Sequence, residues 1–153
     1  MARPDKIERA LLDASALIGV IKGEEDFGCL RTLLAAIDRG EITLVESTAI
    51  LAEVQPEHTA DNGKHVQARE AVRTLLESPA TELVDVNTVV ARKAGHLRVK
   101  HGLTTWDAVH LATAVLAKVD VLIVRDGKFP TGDYEGVHVT SPFDIDDDKL
   151  PIP

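Results

Sequence analysis

Ala10-Leu11-Leu12-Asp13-Ala14-Ser15-Ala16-Leu17-Ile18 decides the reading of this chain. An apolar strand ends on an aspartate and turns at once into a second apolar run. A lone acid at the carboxyl end of a buried strand is where open α/β sheets place their chemistry. Asp13 also suits the N-cap of the helix that follows, because its short carboxylate accepts from the first free amides of a helix. What decides between the two roles is whether other acids join it.

Working outward, Ile7 to Leu12 reads as the first strand and Ala14 to Ile21 as a short helix stopping near Gly23. Asp26 is placed to cap the next helix, in which Leu30, Leu33, Leu34 and Ile37 recur at helical spacing up to Gly40. Ile42 to Val45 is a short strand. Ser47 or Thr48 caps a helix carrying Ile50, Leu51, Glu53 and Val54, ended by Pro56. A polar loop over His58 to Lys64 precedes an amphipathic helix from Val66 to Leu76. Glu82 to Val86 is a strand, and Asn87 caps a helix with a basic end at Lys100-His101 and a stop at Gly102. Thr104 or Thr105 opens the helix Trp106 to Leu116, with Asp107 in its first turn. Val119 to Val124 is almost wholly apolar, as a central parallel strand is, and Val137 to Val139 adds an edge strand. Strands alternating with helices predict an α/β fold, an α/β/α sandwich on a mostly parallel central sheet.

With 153 residues, the expectation is a single domain over 1–153, its core at about 8–141 and an acidic, proline-containing tail at 142–153 lying loosely on the surface. Aromatic residues make up 3% of the chain, so the core is built of Leu, Val, Ile and Ala. The single cysteine, Cys29, has no intramolecular partner and falls in an apolar helical pattern, which suits the core and a reducing cytoplasm. Asp13 interrupts the only apolar run near the start that resembles a secretory signal, and a cytoplasmic protein is expected. A net charge of −8 excludes a protein that grips nucleic acid by a broad basic face. It does not exclude carboxylates converging on divalent cations that recruit phosphate.

Asp13 and Asp126 each follow a strand, so both emerge on the same carboxyl edge of the sheet. Asp107 opens the helix leading into the second of those strands, and Glu53 shares a helix face with Ile50. Four acids from four elements at one place repel one another unless a cation sits among them. Hard divalent ions with oxygen ligands, Mg²⁺ or Mn²⁺, fit that description. Such ions activate an attacking water and stabilise the leaving oxygen of a phosphodiester.

These stretches resemble a known family. Leu12-Asp13-Ala14-Ser15-Ala16-Leu17, Ile50-Leu51-Ala52-Glu53-Val54, Gly102-Leu103-Thr104-Thr105-Trp106-Asp107-Ala108-Val109-His110-Leu111-Ala112-Thr113-Ala114 and Val124-Arg125-Asp126-Gly127-Lys128-Phe129 occur in the order found in PIN-domain ribonucleases. The likeness is to the small VapC-like toxins of toxin–antitoxin pairs. The resemblance implies a Mg²⁺- or Mn²⁺-dependent endoribonuclease with Asp13, Glu53, Asp107 and Asp126 as its acidic quartet and Ser15 supporting the metal. It also implies an RNA substrate, a cognate antitoxin protein and a homodimer. The chain departs from the pattern at Val124, where Thr or Ser is common, and at Lys128, where a second acid is often found. Those two residues motivate the alternative, a degenerate PIN-like module that binds RNA or protein without cleaving.

Lys22, Arg125 and Lys128 follow the site-bearing elements and are candidates for phosphate contact. The basic group of Arg92, Lys93, Arg98, Lys100 and His101 reads instead as complementing a helix dipole. His110, one turn after Asp107, is placed as a ligand or general acid would be, but it has no histidine partner at helical spacing and oxygen-ligated metals do not require it, so a direct role is not expected. Asp144, Asp146 and Asp148 imitate the start of a calcium loop, but Lys149 stands where glycine is required. A phosphorylated-aspartate domain is disfavoured by Ser15, where a dehalogenase-like site needs an acid.

Overall fold

The structure is a computed structural model that describes residues 3–21, 23, 25–54, 66–125 and 129–146. Asp126, Lys22, Lys128, Pro56, the loop over His58 to Lys64 and the end of the tail lie outside the described residues.

The first strand, β1 (Arg9–Leu12), leads through Asp13 into helix α1 (Ala14–Ile21). A 3₁₀ turn over Glu25–Leu30 precedes α2 (Arg31–Asp38), whose N-cap position is Leu30 with no side-chain cap. The α-helix therefore starts later than the placement of Asp26 suggests, after a tighter turn that seats Phe27 against Gly19. A Cβ on Gly19 would stand 2.5 Å from the Phe27 ring, so only glycine permits that approach. Strand β2 (Thr43–Ser47) is followed by the one-turn helix α3 (Ile50–Glu53). Ala49, not Ser47 or Thr48, is its N-cap position. Ser47 Oγ accepts from the Ala49 amide and Thr48 Oγ1 from the Val86 amide, so both hydroxyls tie down the turn before the helix.

The remaining elements are α4 (Val66–Leu76), β3 (Thr81–Val84), α5 (Thr88–His101), α6 (Thr105–Leu116), β4 (Val121–Ile123), β5 (Gly132–Tyr134) and β6 (Val137–Thr140). Asn87 caps α5 by accepting from the Val90 amide at 3.0 Å, and Gly102 ends the helix in the left-handed conformation, φ 64°. Replacing the cap, Asn87→Ala, is expected to cost about 1 kcal/mol. Thermal unfolding should register that as a midpoint lower by roughly 2–4 °C.

The six strands lie in the order β3-β2-β1-β4-β6-β5. Every pairing is parallel except that of β5 with β6. The strand expected at Val137 is thus interior, between β4 and β5, and the edge is the short antiparallel β5, which the pattern did not announce. Side chains alternate between two apolar layers. Leu11, Val45 and Leu122 pack against α5 and α6. Ala10, Leu12, Leu44, Val121 and Ile123 pack on the opposite face with residues of α1, α2, α3 and α4. This is the three-layer α/β/α arrangement expected from alternating strands and helices.

The described part of the tail is docked rather than loose. Phe143 and Ile145 pack on the α1–α2 side, and Thr32 Oγ1 donates to Asp144 Oδ1 at 2.8 Å. Two apolar residues among the acids suffice to anchor it. Asp144 Oδ1 also accepts from the Asp146 amide, a local turn in place of a calcium loop.

The amino-terminal edge of the sheet is held by matched charges. Arg9 forks onto both carboxylate oxygens of Glu82 at 2.9 and 3.0 Å, and its Nε donates to the Ala117 carbonyl. Asp120 Oδ2 accepts from the amides of Glu8 and Arg9. The opposite edge differs in kind, because its charges are nearly all of one sign.

Candidate functional site

In an open α/β sheet a ligand crevice forms at the carboxyl edge where the strand order reverses direction. Here the chain runs outward from β1 through β2 to β3, then returns to the other side of β1 with β4, so the switch point lies between β1 and β4. Asp13 is the first residue beyond β1, and its amide donates to the Ile123 carbonyl of β4 at 3.0 Å. Arg125 follows β4 at the same edge, and Asp126 lies outside the described residues.

Asp13 fills the capping role its sequence allowed. Its Oδ1 accepts from the Ala16 amide at 2.8 Å and from Ser15 Oγ at 2.9 Å, which caps α1 and leaves Oδ2 outside the cap. The residue is only 8% exposed. Burial pushes its carboxyl above the ordinary aspartate range; the bonds from Ala16 and Ser15 and the nearness of His110 oppose the rise, and the like charge of Asp107 adds to it. Ser15 thus supports the carboxylate directly.

Asp107 lies in the first turn of α6, half-buried, and its amide donates to Thr104 Oγ1, which caps the helix. The cap uses the Asp107 backbone and leaves its carboxylate to other partners. One turn further on, His110 is 2% exposed, and its Nε2 stands 2.6 Å from Glu53 Oε1. His110 is a core histidine bonded to Glu53: it ties α6 to α3 and holds Glu53, whose side chain is 24% exposed. His110 Nδ1 is buried without a partner among the described residues.

Glu46 is a residue the sequence reading missed. It sits in β2 at 0% exposure, and its Oε1 accepts from the Leu12 amide at 3.1 Å. Burial drives its carboxyl well above the ordinary range; the Leu12 bond lowers it, and the charges of Asp13 and Glu53 raise it further. The available signal was an acid inside the strand Leu44-Val45-Glu46-Ser47, at the same carboxyl edge as Asp13.

The structure therefore draws Asp13, Glu46, Glu53, Asp107 and His110 into one electrostatically linked group. Of the expected phosphate contacts only Arg125 is described; it is exposed, with its guanidinium 5.6 Å from the Phe27 ring centroid. Val124 is buried in the apolar layer against α5 and α6, where an aliphatic side chain belongs.

Among the described residues no three His, Cys, Asp or Glu side chains form a ready metal cage. The donors nevertheless suit a hard cation. They are carboxylate oxygens from four elements, mutually repelling, and one of them, Glu46 Oε2, is buried without a partner among the described residues. Mg²⁺ keeps several waters and needs few protein ligands, so an incomplete cage is compatible with its binding.

These features have a pH signature. Asp13 and Glu46 have folded-state pKa values raised above their unfolded ones, so they oppose folding once ionised, and that penalty disappears as pH falls through the raised values. Glu82 and Glu135 are held low by Arg9 and Lys93, so their support is lost only below the ordinary carboxylate range. The metal-free protein should therefore melt at a higher temperature near pH 5 than near pH 8, and then lose stability below about pH 4. Melting curves across that span check both limbs.

A mostly parallel sheet covered on both faces, with carboxylates near its switch point, defines an α/β protein with an acidic carboxyl edge. The PIN domain family profile matches residues 10–133, and the chain belongs to that family. No curated protein matches it by sequence. Among solved structures, a toxin–antitoxin complex from Klebsiella pneumoniae superposes with a TM-score of 0.61 at 24% identity, covering 89% of this chain and 99% of the other. VapC20 from Mycobacterium tuberculosis, a Sarcin-Ricin loop cleaving toxin, gives 0.58 at 16% identity over 77% of this chain and 90% of that one. VapBC2 from Rickettsia felis, bound to a DNA fragment from its promoter, gives 0.55 at 16% identity over 77% and 88%. Among the described residues no helix is long and apolar enough to cross a membrane.

Proposed function

We propose that the chain is a divalent-metal-dependent endoribonuclease, the toxin of a toxin–antitoxin pair, acting in the cytoplasm as a homodimer on RNA and held in check by a cognate antitoxin protein. The observation that carries this reading is the buried Asp13 at the switch point of a PIN-family sheet, with the like charge of Asp107 near it and Glu53 bonded to His110. Membership of the PIN family and the similarity of the fold to toxins from three bacteria support it.

In this reading Asp13, Asp107, Asp126 and Glu53 would hold Mg²⁺ or Mn²⁺. The bound cation supplies an activated water and stabilises charge on the phosphodiester. The chain's own residues do the rest. Ser15 and the Ala16 amide fix the Asp13 carboxylate so that one oxygen stays turned away from the cap. His110 orients Glu53. Lys22, Arg125 and Lys128 follow the site-bearing elements in sequence and would contact the RNA backbone. Burial of Val124 in the apolar layer accounts for one of the two departures that favour a degenerate binding module, because that position serves packing.

The test is incubation of the purified protein with single-stranded and structured RNA in Mg²⁺ or Mn²⁺. Cleavage is expected, abolished by EDTA and restored by excess Mn²⁺. RNA that survives intact in both metals would favour the module, and cleavage that continues in EDTA would refute a metal mechanism.

A further inference from the structure

The β1–β2 ladder pairs Arg9 with Thr43 and Ala10 with Leu44, and then a side chain enters it. The Leu12 amide is bonded by the Glu46 carboxylate through Oε1. Glu46 is therefore fixed against the residue that immediately precedes Asp13. Its second oxygen, Oε2, is fully buried and has no hydrogen-bond partner among the described residues. The charges of both Asp13 and Glu53 act on it.

A buried carboxylate oxygen without a partner is costly, and like charges nearby add to the cost. An apolar residue would fill this place in β2 at no such penalty, as Leu44 and Val45 do. The arrangement is made favourable by a strong donor or a positive charge at Oε2. Direct contact with an ion suits the more open carboxylates of Asp107 and Glu53, whereas Glu46 is closed to solvent at 0% exposure. Outer-sphere groups of this kind orient ligands and tune metal affinity.

We infer that Glu46 is a positioning residue of the cation site, using Oε1 to hold the backbone that carries Asp13 and Oε2 to accept a hydrogen bond from a water on the cation. The inference rests on the proposed divalent-metal reading of this carboxyl edge and adds a residue to it. Glu46 does not touch RNA and is not a ligand itself. It stiffens the Asp13 side of the site and supplies negative charge behind the ion.

The experiment is a calorimetric Mn²⁺ titration of wild type, Glu46→Gln and Asp13→Asn, with metal-free melting curves of each. Gln keeps an oxygen for the Leu12 amide while losing the charge, so the metal-free Glu46→Gln protein should melt at or above the wild-type temperature. Its Mn²⁺ affinity should fall by about 10- to 100-fold. Unchanged affinity, with or without a lower melting temperature, would overturn the proposal and leave Glu46 a structural residue, while the cation reading stands on wild-type binding that Asp13→Asn removes. Absence of Mn²⁺ binding in wild type would overturn both. If Glu46→Gln does not fold, Glu46→Met, of similar length and apolar, takes its place with the same expected loss and the same overturning result.

Discussion

Asp13→Asn is expected to lower RNA cleavage by on the order of 10³-fold while the protein stays folded. Asparagine is as good an N-cap as aspartate, so the bonds from the Ala16 amide and Ser15 Oγ to Oδ1 survive the change. What disappears is the charge, which burial and Asp107 already make costly in the metal-free protein. The melting temperature without metal should therefore hold or rise as activity falls. Single-turnover cleavage rates beside melting curves separate the two effects. A variant that loses both together would show that Asp13 matters through folding alone, and one that keeps both would remove it from the site.

The second large effect lies in the sheet. Leu122 is fully buried in β4, paired with Leu11 on one side and Val139 on the other, within the layer that meets α5 and α6. Leu122→Ala removes three carbons from a close-packed place that rigid neighbouring strands cannot close over. The expected cost is about 2–5 kcal/mol. At roughly 2–4 °C per kcal/mol for a chain of this size, the midpoint should drop by on the order of 10 °C. Denaturant unfolding with an unchanged slope confirms a loss of packing; a drop under about 1 kcal/mol would mean that β4 is not central to the core. Because β4 also receives the Asp13 amide at Ile123, the same variant should loosen the site.

The fold was legible wherever periodicity and caps agreed. Asn87 and Thr104 accept the expected amides, Gly102 adopts the left-handed stop, and the apolar run ending at Val124 contains a central parallel strand. Gly132-Asp133-Tyr134 escaped because a short, polar, glycine-containing edge strand carries no alternation to detect. The position of β6 escaped for a related reason: its neighbours are set by the sheet order, which local pattern does not encode. In the site, the places of Asp13 after β1 and of Asp107 in the first turn of α6 were readable because each acid marks the start or end of an apolar element. Glu46 was not, since an acid after Leu44-Val45 looks like the end of a strand. Only the pairing with β1 shows that its carboxylate replaces a backbone acceptor for Leu12. The bond between His110 and Glu53 spans 57 residues in sequence, and neither residue's surroundings hint at the other.

The most direct measurement is the anomalous difference map of a crystal of this protein grown with Mn²⁺. The account predicts a manganese peak at the carboxyl edge of β1, within ligand distance of the carboxylates of Asp13 and Asp107. A map with no peak there, or with manganese held only by acids away from this edge, would contradict it.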